Sequence, residues 1–362
     1  MKKIGIITWH YYNNYGSVLQ AYALQSAIEE LGYNVKIINY RNLKFGKINF
    51  IKETIKLCLD HISDAVGMHI KFPFDFFRRK YLRQTKLCQD EAKLTSLIKD
   101  FDAVVCGSDQ IWASSVYNPV YMLNFVSEKV PKFSYAASIG LDYIDQNIVD
   151  QYRNLLKRFN RISVREETGM ELLKQQCGIP STVVLDPTLL ITSDKWREVT
   201  DVQIKETSPY IFCYFLNKNH QYKDKIIEFA QIKRCKLIGV SDNERDKEWM
   251  ELRNNIGPSE WLNLISHSEF VFTDSYHATI FSLLFHKKFI TFERFKSNDK
   301  FCQNSRIYQL DKYFDIGKYI LSIDNFDPEV FIEEYDYLSF EHILKSLRDD
   351  SMLFLKTSLK GE

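Results

Sequence analysis

His277 sits in the stretch VFTDSYHATIFSLLF (271–285), where an apolar strand hands over to an apolar helix. Five polar or half-polar residues, Thr273, Asp274, Ser275, Tyr276 and His277, occupy that junction. Ligands of open α/β sheets bind outside the carboxyl ends of the strands. A helix start there offers free N–H groups and partial positive charge to an anion. Capping by Asp274 or Ser275 accounts for one polar residue, but it does not require an imidazole shortly afterwards. With an ordinary pKa close to neutrality, an imidazole in this place can donate a proton or steady a phosphate.

Other strand ends carry groups of similar promise. Arg165 closes an apolar run in SVREE (163–167), and Arg306 lies in the first helical turn of NSRIYQL (304–310). Guanidinium forks match carboxylate and phosphate oxygens bidentately. The plainer role for Arg165 is a surface ion pair with Glu166 or Glu167. In HYYNNYGS (10–17), Gly16 lets the backbone turn tightly, Ser17 can cap the next helix, and Asn14 stands beside them. Backbone N–H groups there can meet ligand oxygens. The spacing is not G-x-G-x-x-G, which disfavours a dinucleotide. In CGSDQIW (106–112) a buried strand ends in Ser108, Asp109 and Gln110, a set suited to holding hydroxyls.

The elements that position these groups read as repeated βαβ units. KIGIITW (3–9), a helical stripe ending at Gly32 and VKIINY (35–40) form the first, and strand-like runs at 103–108, 132–138, 161–166 and 182–187 follow. Such repeats predict parallel sheets covered by helices. A polar stretch at 192–209 interrupts the pattern, which resumes at 210–216, 235–240, 269–275, 288–292 and 319–323. The expected organisation is a Rossmann-like unit over 1–200, a second over 201–330, and C-terminal helices over 331–362 that pack back on the fold.

Composition narrows the function classes. At 362 residues the chain is about two domains long, and 45% hydrophobic with 26% charged residues is ordinary for a globular protein. A net charge of +1 argues against a nucleic-acid partner. Seven scattered cysteines without a C-x-x-C pair fit a reducing cytoplasm rather than a disulfide framework or zinc site. The aspartates at 102, 109, 186 and 274 lack ligand spacing, so no metal is expected. No apolar run is long enough to cross a membrane. Residues 41–83 stand apart, with ten basic and four acidic residues interleaved with aromatics. Phe74, Phe77 and Tyr81 share one helical face, with Arg78, Arg79 and Arg83 mostly elsewhere. That region is expected to be a solvated basic face or a peripheral contact with an anionic membrane.

Taken in order, NNYGSVLQAYALQ, GSDQIW, SYAAS, SVREE…VLDPTLL, TDSYHATIFSLLF and NSRI resemble the polysaccharide pyruvyl transferase family over about residues 3–310. The resemblance implies two Rossmann-like domains similar to GT-B glycosyltransferases. It implies transfer of the pyruvyl unit of phosphoenolpyruvate onto two sugar hydroxyls, giving a ketal in capsular or exopolysaccharide assembly, with no cofactor beyond that donor. The acceptor is a sugar or lipid-linked oligosaccharide. By resemblance His277 is the essential histidine and Arg165 a donor-binding arginine, with Ser275, Tyr276 and Arg306 on the donor side. Asn14, Gly16, Ser17, Ser108, Asp109 and Gln110 fall to the acceptor or its loops. Family members often read Arg-x-His at the histidine, whereas this chain reads Ser275-Tyr276-His277, so either Arg306 or Arg294 supplies that cation or the donor differs. A nucleotide-sugar glycosyltransferase and a non-catalytic glycan-binding protein are the competing classes.

Overall fold

The computed structural model describes residues 1–41, 72–200, 206–216, 222–295, 299, 302–329 and 335–361. Twelve strands can be numbered in chain order among these residues. They are β1 (Lys3–Ile7), β2 (Asn34–Ile37), β3 (Ala103–Cys106), β4 (Lys132–Ser134), β5 (Ser163–Val164) and β6 (Thr182–Val183). After these come β7 (Tyr210–Tyr214), β8 (Lys236–Val240), β9 (Glu251–Leu252), β10 (Phe270–Thr273), β11 (Lys288–Phe292) and β12 (Ile320–Leu321). Runs such as YIFCY in β7 and AVVC in β3 are apolar at every position and wholly buried. That pattern marks strands covered on both faces, the condition of parallel sheets.

Two such sheets form, as the strand pattern predicts. The first has the order β2-β1-β3-β4, with every pairing parallel. Bridges Phe133–Arg161 and Ala137–Val164 pass it on to the parallel pair β5-β6. The second sheet has the order β12-β11-β10-β7-β8-β9, again all parallel. In each sheet the chain begins in the middle and then reverses direction, between β1 and β3 in the first and between β7 and β10 in the second. Those reversal points open crevices at the carboxyl ends of the strands. His277 follows β10, Gly16 and Ser17 follow β1, and Ser108–Gln110 follow β3.

The helix Tyr15–Glu30 explains how the two crevices come to face each other. Every residue from Tyr15 to Ile28 is buried, so the helix has no solvent face and must be covered all round. One apolar cluster contains Ile4 and Ile6 of β1, much of this helix, and Phe212, Phe272 and Trp261 from the second half. Tyr15 stacks on Trp261 with ring centroids 5.1 Å apart, and its hydroxyl donates to the Ile256 carbonyl at 3.2 Å. The helix Tyr337–Lys360 joins the halves from the other side. Near its start the Tyr337 hydroxyl donates to the Lys287 carbonyl at 2.5 Å. Further along, the Leu185 N–H donates to Ser351 Oγ at 3.0 Å, and Arg161 donates to Thr357 Oγ1 at 2.5 Å. No described helix is long and apolar enough to cross a membrane.

Candidate active site

Where the crevices meet lies a cavity of about 840 Å³, within the range of roughly 300–1,000 Å³ usual for small-molecule sites. It brings together ten of the residues singled out from sequence: Asn14, Gly16, Ser17, Asp109, Gln110, Ser275, Tyr276, His277, Arg294 and Arg306. Arg165 and Ser108 are absent from its lining.

The histidine junction folds as a strand, a short turn and a helix. Ser275 is the N-cap of helix Tyr276–Leu284, its side chain accepting from the Ala278 N–H at 3.5 Å. Thr273 Oγ1 accepts from the Ser275 N–H at 3.0 Å, and Asp274 Oδ1 from the Leu216 N–H at 2.7 Å. Thr273, Asp274 and Ser275 therefore hold the turn, which leaves Tyr276 and His277 as its chemical groups at the cavity. The imidazole rests against the start of helix Tyr15–Glu30. A Cβ built on Gly16 would lie 2.1 Å from His277 Nδ1. Gly16 is thus required by the close approach of the ring rather than by a turn, since its φ is not positive.

Behind the ring, His277 Nε2 stands 3.7 Å from Asp186 Oδ2. That same oxygen accepts from Arg165 Nη1 at 2.9 Å, and Asp186 Oδ1 accepts from the Thr188 N–H at 2.9 Å and hydroxyl at 2.7 Å. Burial alone raises a carboxyl's pKa, but His277, Arg165 and Thr188 outweigh it and hold Asp186 below the usual carboxylate range. Arg165 is fully buried in a network rather than paired at the surface. Its Nε lies 3.7 Å from Glu166 Oε2, and its guanidinium lies over the Tyr276 ring at 4.7 Å. Glu166 Oε1 accepts from Ser138 Oγ and from the N–H groups of Ile139 and Gly140, each at 2.9 Å. Ser108 is likewise internal: its hydroxyl donates to the Ala136 carbonyl at 2.6 Å, and Gln20 Oε1 accepts from its N–H at 3.0 Å. Ser17 Oγ donates to Asp109 Oδ2 at 2.5 Å, joining the loops after β1 and β3.

Against the loop after β3 lies a second cationic group. Gln303 Oε1 accepts from Arg306 Nη2 at 2.9 Å, from Arg294 Nη2 at 3.1 Å and from Gln110 Nε2 at 3.1 Å. Burial, with Arg165 and Arg294 close by, pushes Arg306 down to about 9. Arg306 Nε and Trp261 Nε1 are buried donors at the cavity with no hydrogen-bond partner among the described residues. Asp186, Glu166 and Gln303 were not expected from the sequence as site residues. A lone polar residue ending the apolar VVLD run was the available signal for Asp186, and Gln303 directly precedes the NSRI group.

The basic region at 41–83 is only partly described, since residues 42–71 lie outside the described set. Helix Pro73–Tyr81 buries Phe74 and Phe77, as their shared face predicts. Arg78 departs from the basic-face reading, because it is buried with them. Its Nε donates to the His10 carbonyl at 2.8 Å, and Nη2 donates to the Tyr11 and Tyr12 carbonyls at 3.0 and 2.7 Å. Arg79 and Lys80 are exposed. Among the described residues no group of three or more His, Cys, Asp or Glu could hold a metal ion.

Comparison with known proteins agrees with this architecture. The structure resembles UDP-GlcNAc 2-epimerase from Methanocaldococcus jannaschii with a TM-score of 0.52 and 13% identity, covering 95% of this chain and 99% of that one. A putative UDP-N-acetylglucosamine 2-epimerase from Listeria monocytogenes gives a TM-score of 0.50 and 10% identity, covering 97% and 90%. At such identities the likeness shows the fold alone, an α/β GT-B-like pair of Rossmann-type sheets. No curated protein matches the sequence. The polysaccharide pyruvyl transferase family model matches residues 14–295, which include the loops after β1 and β3, Asp186, His277 and Arg294. The chain belongs to the polysaccharide pyruvyl transferase family, a family of transferases.

Proposed function

We propose that the protein moves the pyruvyl unit of phosphoenolpyruvate onto two hydroxyls of a sugar, forming a cyclic ketal and releasing phosphate, in capsular or exopolysaccharide assembly in the cytoplasm. The observation that carries this reading is the meeting of Arg294 and Arg306 on Gln303 Oε1, in the cavity that His277 lines. Two guanidinium groups meeting on one oxygen, Arg306 buried and Arg294 half-buried, favour an anion, and an unpartnered buried donor such as Arg306 Nε costs about 1–3 kcal/mol until an acceptor arrives. Phosphoenolpyruvate offers a carboxylate and a phosphate on a three-carbon frame, each suited to a guanidinium fork. Arg294 and Arg306 supply the positive charge that family members often place at the position of Ser275.

In the proposed reaction, one acceptor hydroxyl adds to C2 of the donor while His277 delivers a proton to C3. The C2–O bond to phosphate then breaks, and the second hydroxyl closes the ketal on C2. Of the two protons the acceptor loses, one restores His277 and the other leaves with phosphate. Asp186, 3.7 Å from Nε2, balances the charge of the protonated imidazole from behind. Arg165 supports Asp186 and the underside of Tyr276. No cofactor besides the donor enters the scheme. A lipid-linked acceptor would approach with Arg79 and Lys80 toward the membrane surface.

Thermal-shift titration of the full-length protein tests the donor. Ligands that bind only the native state raise its melting temperature. Phosphoenolpyruvate should raise it, UDP- and GDP-sugars should not, and addition of acceptor should release phosphate. A rise with a nucleotide sugar and none with phosphoenolpyruvate overturns the reading.

A further inference from the structure

The cavity is chemically polarised. Its cations among the described lining residues, Arg294 and Arg306, come with His277 from the second half of the chain. The first half contributes a wall of six aromatic rings, Trp9, Tyr11, Tyr12, Tyr40, Tyr117 and Tyr121, against three, Tyr214, Trp261 and Tyr276, from the second half. We infer that this wall is the acceptor subsite and that it takes an uncharged hexopyranose by stacking. The inference rests on the pyruvyl-transfer reading for its chemistry, though not for its binding.

Several observations support it. Five of the rings form a connected patch, with centroids of Trp9 and Tyr12 at 6.1 Å, Tyr11 and Tyr12 at 4.1 Å, Trp9 and Tyr121 at 6.3 Å, and Tyr40 and Tyr121 at 6.0 Å, while Tyr117 lines the cavity separately. Tyr40 and Tyr121 are buried as backing, whereas Tyr12 is 47% exposed and Tyr117 is half-buried. Tyr117 is itself supported by stacking on Tyr152 at 5.5 Å. Pyranose rings present apolar C–H faces, which pack on aromatic faces, and hydroxyl edges, which need acceptors. The same end of the cavity supplies those acceptors as Asn118, Asp90 and Glu91. Carboxylates among them favour hydroxyl donors and oppose an acidic sugar. Arg41 lies over the Tyr11 ring at 5.8 Å but does not line the cavity. A three-carbon donor leaves most of about 840 Å³ unfilled, which is room for a sugar.

The wall is also held ready. Buried Arg78 bonds the carbonyls of His10, Tyr11 and Tyr12, and its Nη2 donates to Asn13 Oδ1 at 3.0 Å. Its other arm pairs with Asp75 at 2.6 Å. A loop fixed in this way loses little freedom when a ligand packs on it, which favours binding.

The test measures sugar binding without the donor. Saturation-transfer NMR on the full-length protein would use methyl glycosides of glucose, galactose, mannose, N-acetylglucosamine, N-acetylmannosamine and glucuronic acid. At least one neutral glycoside should bind, with the glucuronide at least about tenfold weaker. Tyr12→Ala and Tyr117→Ala should each weaken it by up to about tenfold, the worth of one aromatic contact, while the phosphoenolpyruvate thermal shift stays unchanged. Failure of every glycoside to bind, equal binding of the glucuronide, or binding unaltered in both variants overturns the inference. Sugar binding that follows these expectations without any response to phosphoenolpyruvate upholds the wall and removes the donor reading alone.

Discussion

Gly16→Ala adds one methyl group where the structure has no room for it. The new Cβ would lie 2.1 Å from His277 Nδ1 and 2.6 Å from Cε1 and Cγ, whereas ordinary contact begins at 3.4 Å. The imidazole must therefore retreat by about 1.3 Å, or the two helix starts must separate by as much. The ring is hemmed in, since Asp186 lies 3.7 Å behind Nε2 and helix Tyr276–Leu284 is buried at every position. A misplacement of about 1 Å at a reacting group costs roughly 10²-fold in rate. Alanine is not excluded by the backbone, because Gly16 has ordinary helical geometry at the second position of its helix. The expected outcome is a fall of about 10²-fold in kcat with the far-ultraviolet circular dichroism of the wild type. Phosphate release under saturating phosphoenolpyruvate and acceptor measures it. Near wild-type kcat in a folded Gly16→Ala protein, alongside an inactive His277→Ala, would refute the packing of ring on helix as a determinant of catalysis.

Other expectations can be checked with the same preparations. His277→Ala should lose about 10²–10⁴ in rate while remaining folded, as read by phosphate release and circular dichroism. Arg306→Gln should raise the melting temperature of the unliganded protein yet abolish the shift given by phosphoenolpyruvate. The sign follows from its depressed folded value, since the penalty for its charge is full below about 9 and is relieved as pH rises above it. Arg165→Ala should destabilise the fold by about 3–5 kcal/mol in urea titration, because it strands Asp186 without its buried partner. Asp186 is depressed in the folded state, so its contribution is present above the ordinary carboxylate value and is lost as pH falls below it. Stability curves of Asp186→Asn should consequently be lower at neutral pH and flatter on the acid side.

The parts of this site legible in the sequence are those encoded by one local transition. A buried apolar strand followed by small polar residues and a helix marks a strand end, so the loops holding Gly16, Asp109 and His277 were identifiable from a single line of residues. What those residues touch was not. Gly16 reads as a flexible turn, yet its partner is an imidazole 261 positions away in sequence. Arg165 reads as a ligand-facing cation at the end of a strand, but β5 is buried and its carboxylate partner Asp186 comes from the next strand's end. Arg78 reads as part of a basic surface because it stands in the run Arg78-Arg79-Lys80, of which Arg79 and Lys80 are exposed, and helical spacing alone did not single it out. Gln303 gains meaning when Arg294, Arg306 and Gln110 converge on it, a meeting of three segments that no window of sequence contains.

The helix Tyr337–Lys360 bears on how the molecule melts. It bonds to Lys287 beside the second sheet and to Leu185 and Arg161 beside the first, while a shared apolar cluster runs between the sheets through Tyr15 and Trp261. Neither half can lose its tertiary structure without exposing surface that belongs to the other. Thermal denaturation is therefore a single cooperative event for both sheets, and its calorimetric and van't Hoff enthalpies should coincide. Cutting the chain before Tyr337 would remove the bonds this helix makes to both sheets and broaden that event, with the apolar cluster through Tyr15 and Trp261 left as the link between them.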